Sequence, residues 1–159
     1  MAKPDQKVLE ALQKVGIPYV LIEIDPEFSD TKAFCERYGY PPEQTCNTIL
    51  VTSKKGAKMY AACVALANTR LDVNKRVRNL LGVPKVSFAS SDEMVELTGM
   101  EIGGVTPIGL PAELPLYVDQ RIMDQEWVIL GGGSREIKVK VSPELFNRIG
   151  AHIVSDLAS

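Results

Sequence analysis

Two apolar runs separated by a short polar turn constrain this chain most. Thr48–Thr52 and Ala57–Ala65 flank Ser53-Lys54-Lys55-Gly56. Polar residues and a glycine between two runs of strand formers are a β-hairpin signal. Neither run alternates apolar with polar residues, so both faces of these strands must be covered. The fold therefore needs a sheet with packing layers on each side. A chain of 159 residues can supply them, since a domain of that size buries roughly 70% of the surface its unfolded chain exposes. A single domain over residues 1–159 is expected.

The remaining segments mix helices and strands without strict alternation. Val8, Leu9, Leu12 and Val15 recur at helical spacing over residues 5–15, and Gly16 stops that helix. Tyr19–Ile24 reads as a strand. Ser29 or Asp30 caps a short helix ending at Gly39, before Pro41-Pro42. Asp72 caps a helix whose stripe is Val73, Val77, Leu80 and Leu81, ended by Gly82 and Pro84. Val86–Ala89 is a short strand, and Ser91 or Asp92 caps a helix through Leu97, stopped by Gly99. A loop dense in Gly and Pro runs from Gly103 to Pro115. Leu116–Asp119, Trp127–Leu130 and Glu136–Val141 read as strands, the last two joined by Gly131-Gly132-Gly133-Ser134. Ser142 caps a final helix with Pro143 at its first position. This pattern predicts an α+β fold with a mixed, curved or closed β-barrel-like sheet flanked by helices.

Composition excludes several classes of function. The chain is 45% hydrophobic and 24% charged, as ordinary globular proteins are. It has no run of about 18 apolar residues, so no membrane partner is expected. Met1-Ala2-Lys3-Pro4 carries no apolar signal core, so secretion is not expected either. The three cysteines, Cys35, Cys46 and Cys63, form no Cys-x-x-Cys pair, which fits a reducing, cytoplasmic setting. With His152 as the one histidine, a transition-metal site is not expected.

Charge is unevenly placed. Net charge is −2, yet Lys54, Lys55, Lys58, Arg70, Lys75, Arg76, Arg78 and Lys85 are accompanied over that span by a single acid, Asp72. A phosphate-facing surface would look like this, and so would a solvated helix face with a hairpin tip. If the first holds, Lys54, Lys58, Arg70, Lys75 and Arg76 are the candidates for phosphate contacts, which set affinity and register.

The most informative segment is Gly103-Gly104-Val105-Thr106-Pro107-Ile108-Gly109. Around it stand, in order, the strand Thr48–Thr52, Leu71-Asp72 opening a helix that ends Leu81-Gly82, and Leu97-Thr98-Gly99. Tyr117-Val118-Asp119, the glycines 131–133 and Val141-Ser142-Pro143-Glu144-Leu145 follow. A lone Gly-Gly-x-x-Pro would be weak evidence, but the ordered set is specific. With it, the chain resembles the YbaK/ProX family of free-standing tRNA editing domains, members of which also occur inserted in bacterial prolyl-tRNA synthetases. The resemblance runs from about residue 5 to 150.

That resemblance implies a mixed β-barrel flanked by helices. It also implies hydrolysis of a small amino acid wrongly attached to a tRNA, often tRNA for proline. The implied partner is the aminoacylated 3′ end of a tRNA, with an aminoacyl-tRNA synthetase as a further candidate partner. No metal or organic cofactor is implied.

The chemistry is within reach of these residues. An aminoacyl ester is already labile, so positioning and charge stabilisation can suffice. Gly103 and Gly104 lack Cβ, so their backbone can approach a ligand and offer N–H groups to the developing oxyanion. Pro107 stiffens the loop, and Thr106 can donate a hydrogen bond or satisfy nearby backbone. The same loop could be only a tight helix-to-strand connection. Gly131, Gly132, Gly133 and Ser134 offer a second close-approach surface for substrate, or merely a hairpin turn. Phe28, after Asp25-Pro26-Glu27, either lines the amino acid pocket or anchors its loop on the core.

One departure from the family stands out. Its usual pattern Lys-Thr-Leu is here Asn47-Thr48-Ile49. Asparagine is neutral and shorter but can donate and accept hydrogen bonds. Three consequences are open: editing with altered specificity, binding without hydrolysis as a tRNA or nucleotide module, or a basic residue elsewhere that takes over the charge. Cys46 beside Asn47 admits a further reading, a thiol nucleophile, although such a residue needs a base or a lowered pKa. A small buried apolar role competes with it; Cys35 and Cys63 are read as core, and His152 as an ordinary near-terminal residue.

Overall fold

A computed structural model describes residues 6–159. Met1–Pro4 and the first residue of the helix expected from residue 5 lie outside the described residues. Five helices and eight strands are described: α1 (Gln6–Val15), β1 (Tyr19–Glu23), α2 (Thr31–Tyr38), β2 (Cys46–Lys55), β3 (Tyr60–Leu66), α3 (Arg78–Leu81), β4 (Lys85–Phe88), α4 (Ser91–Thr98), β5 (Leu116–Asp119), β6 (Val128–Gly131), β7 (Ile137–Val141), α5 (Glu144–Arg148) and β8 (His152–Val154).

The strands form two sheets. One is antiparallel, in the order β1-β7-β6. The other is mixed, in the order β4-β2-β3-β5-β8, with β5 parallel to both β3 and β8. The fold is the expected α+β, but the closed alternative is not formed. The sheets are joined by one parallel bridge, Thr45 with Ile129. The long segment before β5 contributes no strand that could complete a barrel. Pro107, Pro111 and Pro115 deny it the N–H groups that a ladder requires.

The expected hairpin is β2 and β3, paired from Cys46–Leu66 to Thr52–Tyr60. Ser53 ties its turn, donating to the Ala57 carbonyl at 2.7 Å and accepting the Met59 N–H at 2.9 Å. Both faces are covered as the sequence requires. On one, Cys46, Leu50, Ala62 and Val64 join a core with Val128, Leu130, Val139 and Val141, sealed by α1 and α5. On the other, Val51, Ala61 and Cys63 meet Val77, Leu81 and Val86. A third, small cluster lies where Phe34 of α2 packs on Ile24 and Ile129.

Three local expectations need correction. The helix capped by Asp72 begins as a π-helical turn, Val73–Val77, before α3. The cap of α4 is Ser90, not Ser91 or Asp92. Its hydroxyl accepts the Glu93 N–H while Glu93 accepts the Ser90 N–H, so two otherwise orphaned donors are satisfied together. His152, expected as an ordinary near-terminal residue, opens β8, with its ring 5.6 Å from that of Tyr117.

Candidate active site

Three segments from distant parts of the chain meet at one end of the antiparallel sheet. Residues 26–31 lead into α2. Its cap is Asp30, whose carboxylate accepts the Ala33 N–H at 3.5 Å. The glycine loop at 101–107 lies against this segment, and the turn 131–136 lies against the loop. Arg135 ties all three together. Its guanidinium donates to the Pro26 carbonyl at 3.1 Å, while its N–H donates to Glu101 at 2.8 Å.

The two glycine segments pack backbone on backbone. Gly133 donates to the Gly104 carbonyl at 2.7 Å, and Glu101 donates to the Gly133 carbonyl at 3.2 Å. A Cβ on Gly131 would sit 2.4 Å from the Val105 carbonyl oxygen, and one on Gly132 would sit 2.7 Å from that of Ile137. These glycines are required by close approach rather than by flexibility.

In front of this wall lies a hollow of about 170 Å³, lined by Ser29, Asp30, Thr31, Cys46, Asn47, Thr48, Met94, Gly103, Val105, Gly131 and Lys138. Gly103, which has no side chain, presents it with main chain, and Val105 borders it too. Among the described residues, no hydrogen-bond partner takes the N–H of either. Gly104 differs, because its N–H closes a turn on the Glu101 carbonyl at 2.9 Å. Asn47 stands in the same wall at the start of β2. Its Oδ1 accepts the Thr31 hydroxyl at 2.5 Å, which leaves the Nδ2 donors for a ligand.

Other candidates from the sequence are placed elsewhere. Thr106 is fully buried and its hydroxyl accepts the Ile108 N–H at 3.4 Å, a local backbone role. Pro107 borders a separate groove with Gly109 and Pro111. Gly132, Gly133 and Ser134 back the wall rather than face the hollow. Phe28 packs edge-to-face on Tyr38, with ring centroids 6.3 Å apart, beneath the Arg37 guanidinium. Its neighbour Ser29 is the residue that reaches the hollow.

The basic candidates do not form one patch. Lys54 lies seven residues from Asn47 along β2, roughly 23 Å at about 3.3 Å per residue. Lys58 is in the turn at that far end and pairs with Glu93 at 3.5 Å. Arg76 donates to the Ser155 carbonyl at 3.0 Å. The Lys75 N–H is used in the Asp72 cap at 3.1 Å. Arg70 follows the turn that leaves β3 beside Cys46, at the Asn47 end of the hairpin.

Cys46 also lines the hollow, but burial pushes its thiol well above the ordinary value. The structure brings no histidine into the wall to act as its base. Burial alone likewise pushes the Cys63 thiol up to about 12. Among the described residues, no group of His, Cys, Asp or Glu side chains is placed to hold a metal ion. No helix among them is long and apolar enough to cross a membrane.

Lys138 is the wall residue that sequence reasoning missed. It is 6% exposed, and its ammonium donates to the Ser29 carbonyl at 2.8 Å and lies 5.4 Å from the Phe34 ring centre. Burial lowers its pKa, against a smaller upward pull from Asp30 and Cys35. The signal was Ile137-Lys138-Val139-Lys140-Val141, whose lysines look solvent-facing until α2 is known to cover their side.

The glycine loop, Asn47 and Lys138 thus line one small hollow. The chain belongs to the aminoacyl-tRNA editing domain family, whose model matches residues 25–149. It is 32% identical over 111 residues to the uncharacterised protein YwhH of Bacillus subtilis, covering 64% of this chain and 69% of that one. It is 26% identical over 151 residues to the prolyl-tRNA editing protein ProX of Acetoanaerobium sticklandii, covering 91% and 88%. A crystal structure provisionally assigned as a trans-editing enzyme for prolyl-tRNA synthetase superposes with a TM-score of 0.82 at 25% identity, covering 98% of this chain and 97% of the other.

Proposed function

We propose that this chain, working as one domain in the cytoplasm, hydrolyses the ester of a small amino acid mischarged on a tRNA, with tRNA for proline as the first candidate. The observation that carries the reading is the hollow of about 170 Å³ lined by Asn47 and by Gly103 and Val105, whose N–H groups have no hydrogen-bond partner among the described residues. Its size is well below the roughly 300–1,000 Å³ of a drug-sized ligand site. An aminoacyl group of few atoms fits that scale.

Water adds to the ester carbonyl there, and the negative charge on its oxygen meets preorganised donors from the loop and from Asn47 Nδ2. Removing such a donor typically costs about 10²–10³ in rate. An adjoining hollow of about 550 Å³ shares Asp30, Thr31 and Asn47 in its wall and adds Tyr40, Pro42 and Ala67. It takes the terminal nucleoside of the tRNA, and Arg70, at the Asn47 end of the hairpin and lining a separate hollow with Asp72 and Phe88, is the basic candidate to meet a phosphate. A synthetase that charges a tRNA with the wrong amino acid is the natural partner.

The substitution of Asn47 for the family lysine supports a second reading, a module that binds the aminoacyl end without cleaving it. One experiment separates the two. The protein is incubated with a panel of tRNAs mischarged with Ala, Ser and Cys, and ester loss is followed against the spontaneous rate. Accelerated loss for at least one member is expected. Saturable binding with no acceleration across the panel overturns hydrolysis in favour of the module.

A further inference from the structure

The pocket wall contains a positive charge that does not come from the strand where the family carries one. Position 47 holds an amide, already engaged through Oδ1 with Thr31. Across the hollow, β7 contributes Lys138 opposite Gly131 of β6. Paired residues on neighbouring antiparallel strands project to the same side. Gly131 has no side chain, and the space a Cβ would take is filled by the Val105 carbonyl, so the loop main chain and Lys138 line the hollow together.

The state of this ammonium is unusual. It is buried, no carboxylate pairs with it among the described residues, and its one hydrogen bond is to the Ser29 carbonyl at 2.8 Å. A lysine has three donors, so two find no acceptor among the described residues. A desolvated charge with unused donors costs stability, and such a group is retained where an incoming ligand completes it. Ser29 lines the same hollow, so its carbonyl holds the ammonium at the cavity wall rather than away from it.

We infer that Lys138 is the cationic residue that meets the ester carbonyl oxygen in this chain, doing from β7 what the family lysine does from position 47. The inference rests on the editing reading. The ammonium keeps its proton. Water forms the new bond to the carbonyl carbon, the ribose oxygen leaves with the electron pair of the broken bond, and it takes up a proton that originates from the attacking water. Lys138 lowers the barrier by charge alone, through the interval in which the carbonyl oxygen is negative.

Three variants test it. Lys138→Gln keeps an N–H donor for Ser29 but removes the charge, and Lys138→Met removes both. The third combines Asn47→Lys with Lys138→Met. With the mischarged tRNA that wild type cleaves best, kcat should fall about 100-fold in Lys138→Gln and Lys138→Met. It should recover at least tenfold in the double variant. A merely structural lysine would not be replaced by a charge arriving from another strand. Turnover of Lys138→Gln within threefold of wild type, or no recovery in a folded double variant, overturns the inference.

If wild type cleaves no member of the panel, the editing reading falls and binding decides Lys138 separately. The probe is 3′-alanylamino-3′-deoxyadenosine, a non-hydrolysable amide analogue, titrated into wild type and Lys138→Gln. Affinity at least tenfold weaker in the variant supports contact with the carbonyl, and equal affinity overturns it.

Discussion

A Cβ on Gly104 would lie 2.4 Å from the carbonyl oxygen of Ser134, so the two glycine segments of the site touch main chain to main chain. Neither atom belongs to a side chain that could rotate away. Gly104→Ala must therefore separate the loop from the turn 131–136 and break the Gly133 N–H bond to the Gly104 carbonyl. A loss of about 1–3 kcal/mol is expected from forcing atoms into a filled space, measured by urea denaturation of both proteins. Gly39→Ala provides the contrast. That residue has φ of +77° but nothing within 4 Å of its added carbon, so only the left-handed backbone is penalised, by about 1–2 kcal/mol. Only the Gly104 variant should also lose deacylation measured in the folded fraction.

Asn47 offers a change that keeps shape and removes one function. In Asn47→Asp the carboxylate still accepts from the Thr31 hydroxyl, but the Nδ2 donors are gone and a negative charge faces the developing oxyanion. Thermal stability should move by less than about 1 kcal/mol, the worth of an ordinary hydrogen bond. Deacylation should fall by about 10²-fold or more, as when an oxyanion donor is removed. Equal turnover of the Asn47→Asp variant and wild type would remove Asn47 from the chemistry.

Most of the fold was legible because its signals are local. The hairpin turn at Gly56, the αL glycines 39, 82 and 99 that end helices, and the doubly apolar strands β2 and β3 all announce themselves within a few residues. The capping box of α4 was present as Ser90-x-x-Glu93, one residue before the caps that the sequence suggests. What was not legible depends on the third dimension. β8 has three residues and exists because β5 offers it an edge. Lys138 turns inward because Phe34 arrives from α2, more than 100 positions away in sequence. The two glycine segments could be named from sequence, but not that Gly104 commits its amide to Glu101 while the amides of Gly103 and Val105 take no partner among the described residues.

Cys46 borders the site without the means to act in it. Its thiol is buried, its pKa is driven up by that burial, and no histidine stands in the wall with it. Cys46→Ala should keep deacylation within about threefold of wild type, while stability falls by roughly 1 kcal/mol for the lost packing of one heavy atom. Iodoacetamide at neutral pH should label Cys35, the half-buried thiol, before Cys46 or Cys63. Turnover that disappears with Cys46, or loss of activity that tracks its alkylation, would reinstate a covalent mechanism.

Glu93, next to the hollow-lining Met94, ties α4 to the hairpin and gives the fold an acid-sensitive joint. The Tyr60 hydroxyl donates to its carboxylate at 2.6 Å, the Ser90 N–H donates at 3.0 Å, and the Lys58 ammonium stands 3.5 Å away. The Tyr60 bond first, and the Ser90 N–H second, hold this carboxyl at about 2, below its ordinary 4.5. A carboxyl whose pKa is depressed by folding adds stability above its unfolded value and loses it as pH falls toward the folded one. The difference in thermal midpoint between wild type and Glu93→Gln should therefore be largest above pH 4.5 and shrink as pH falls toward 2. Tyr60→Phe removes the leading cause, so in that variant the Glu93 contribution should fade at higher pH than in wild type. Midpoints recorded by circular dichroism from pH 7 down to 2 read both effects. Parallel curves for wild type and Glu93→Gln would show that the carboxyl titrates alike folded and unfolded, and that this joint contributes through shape alone.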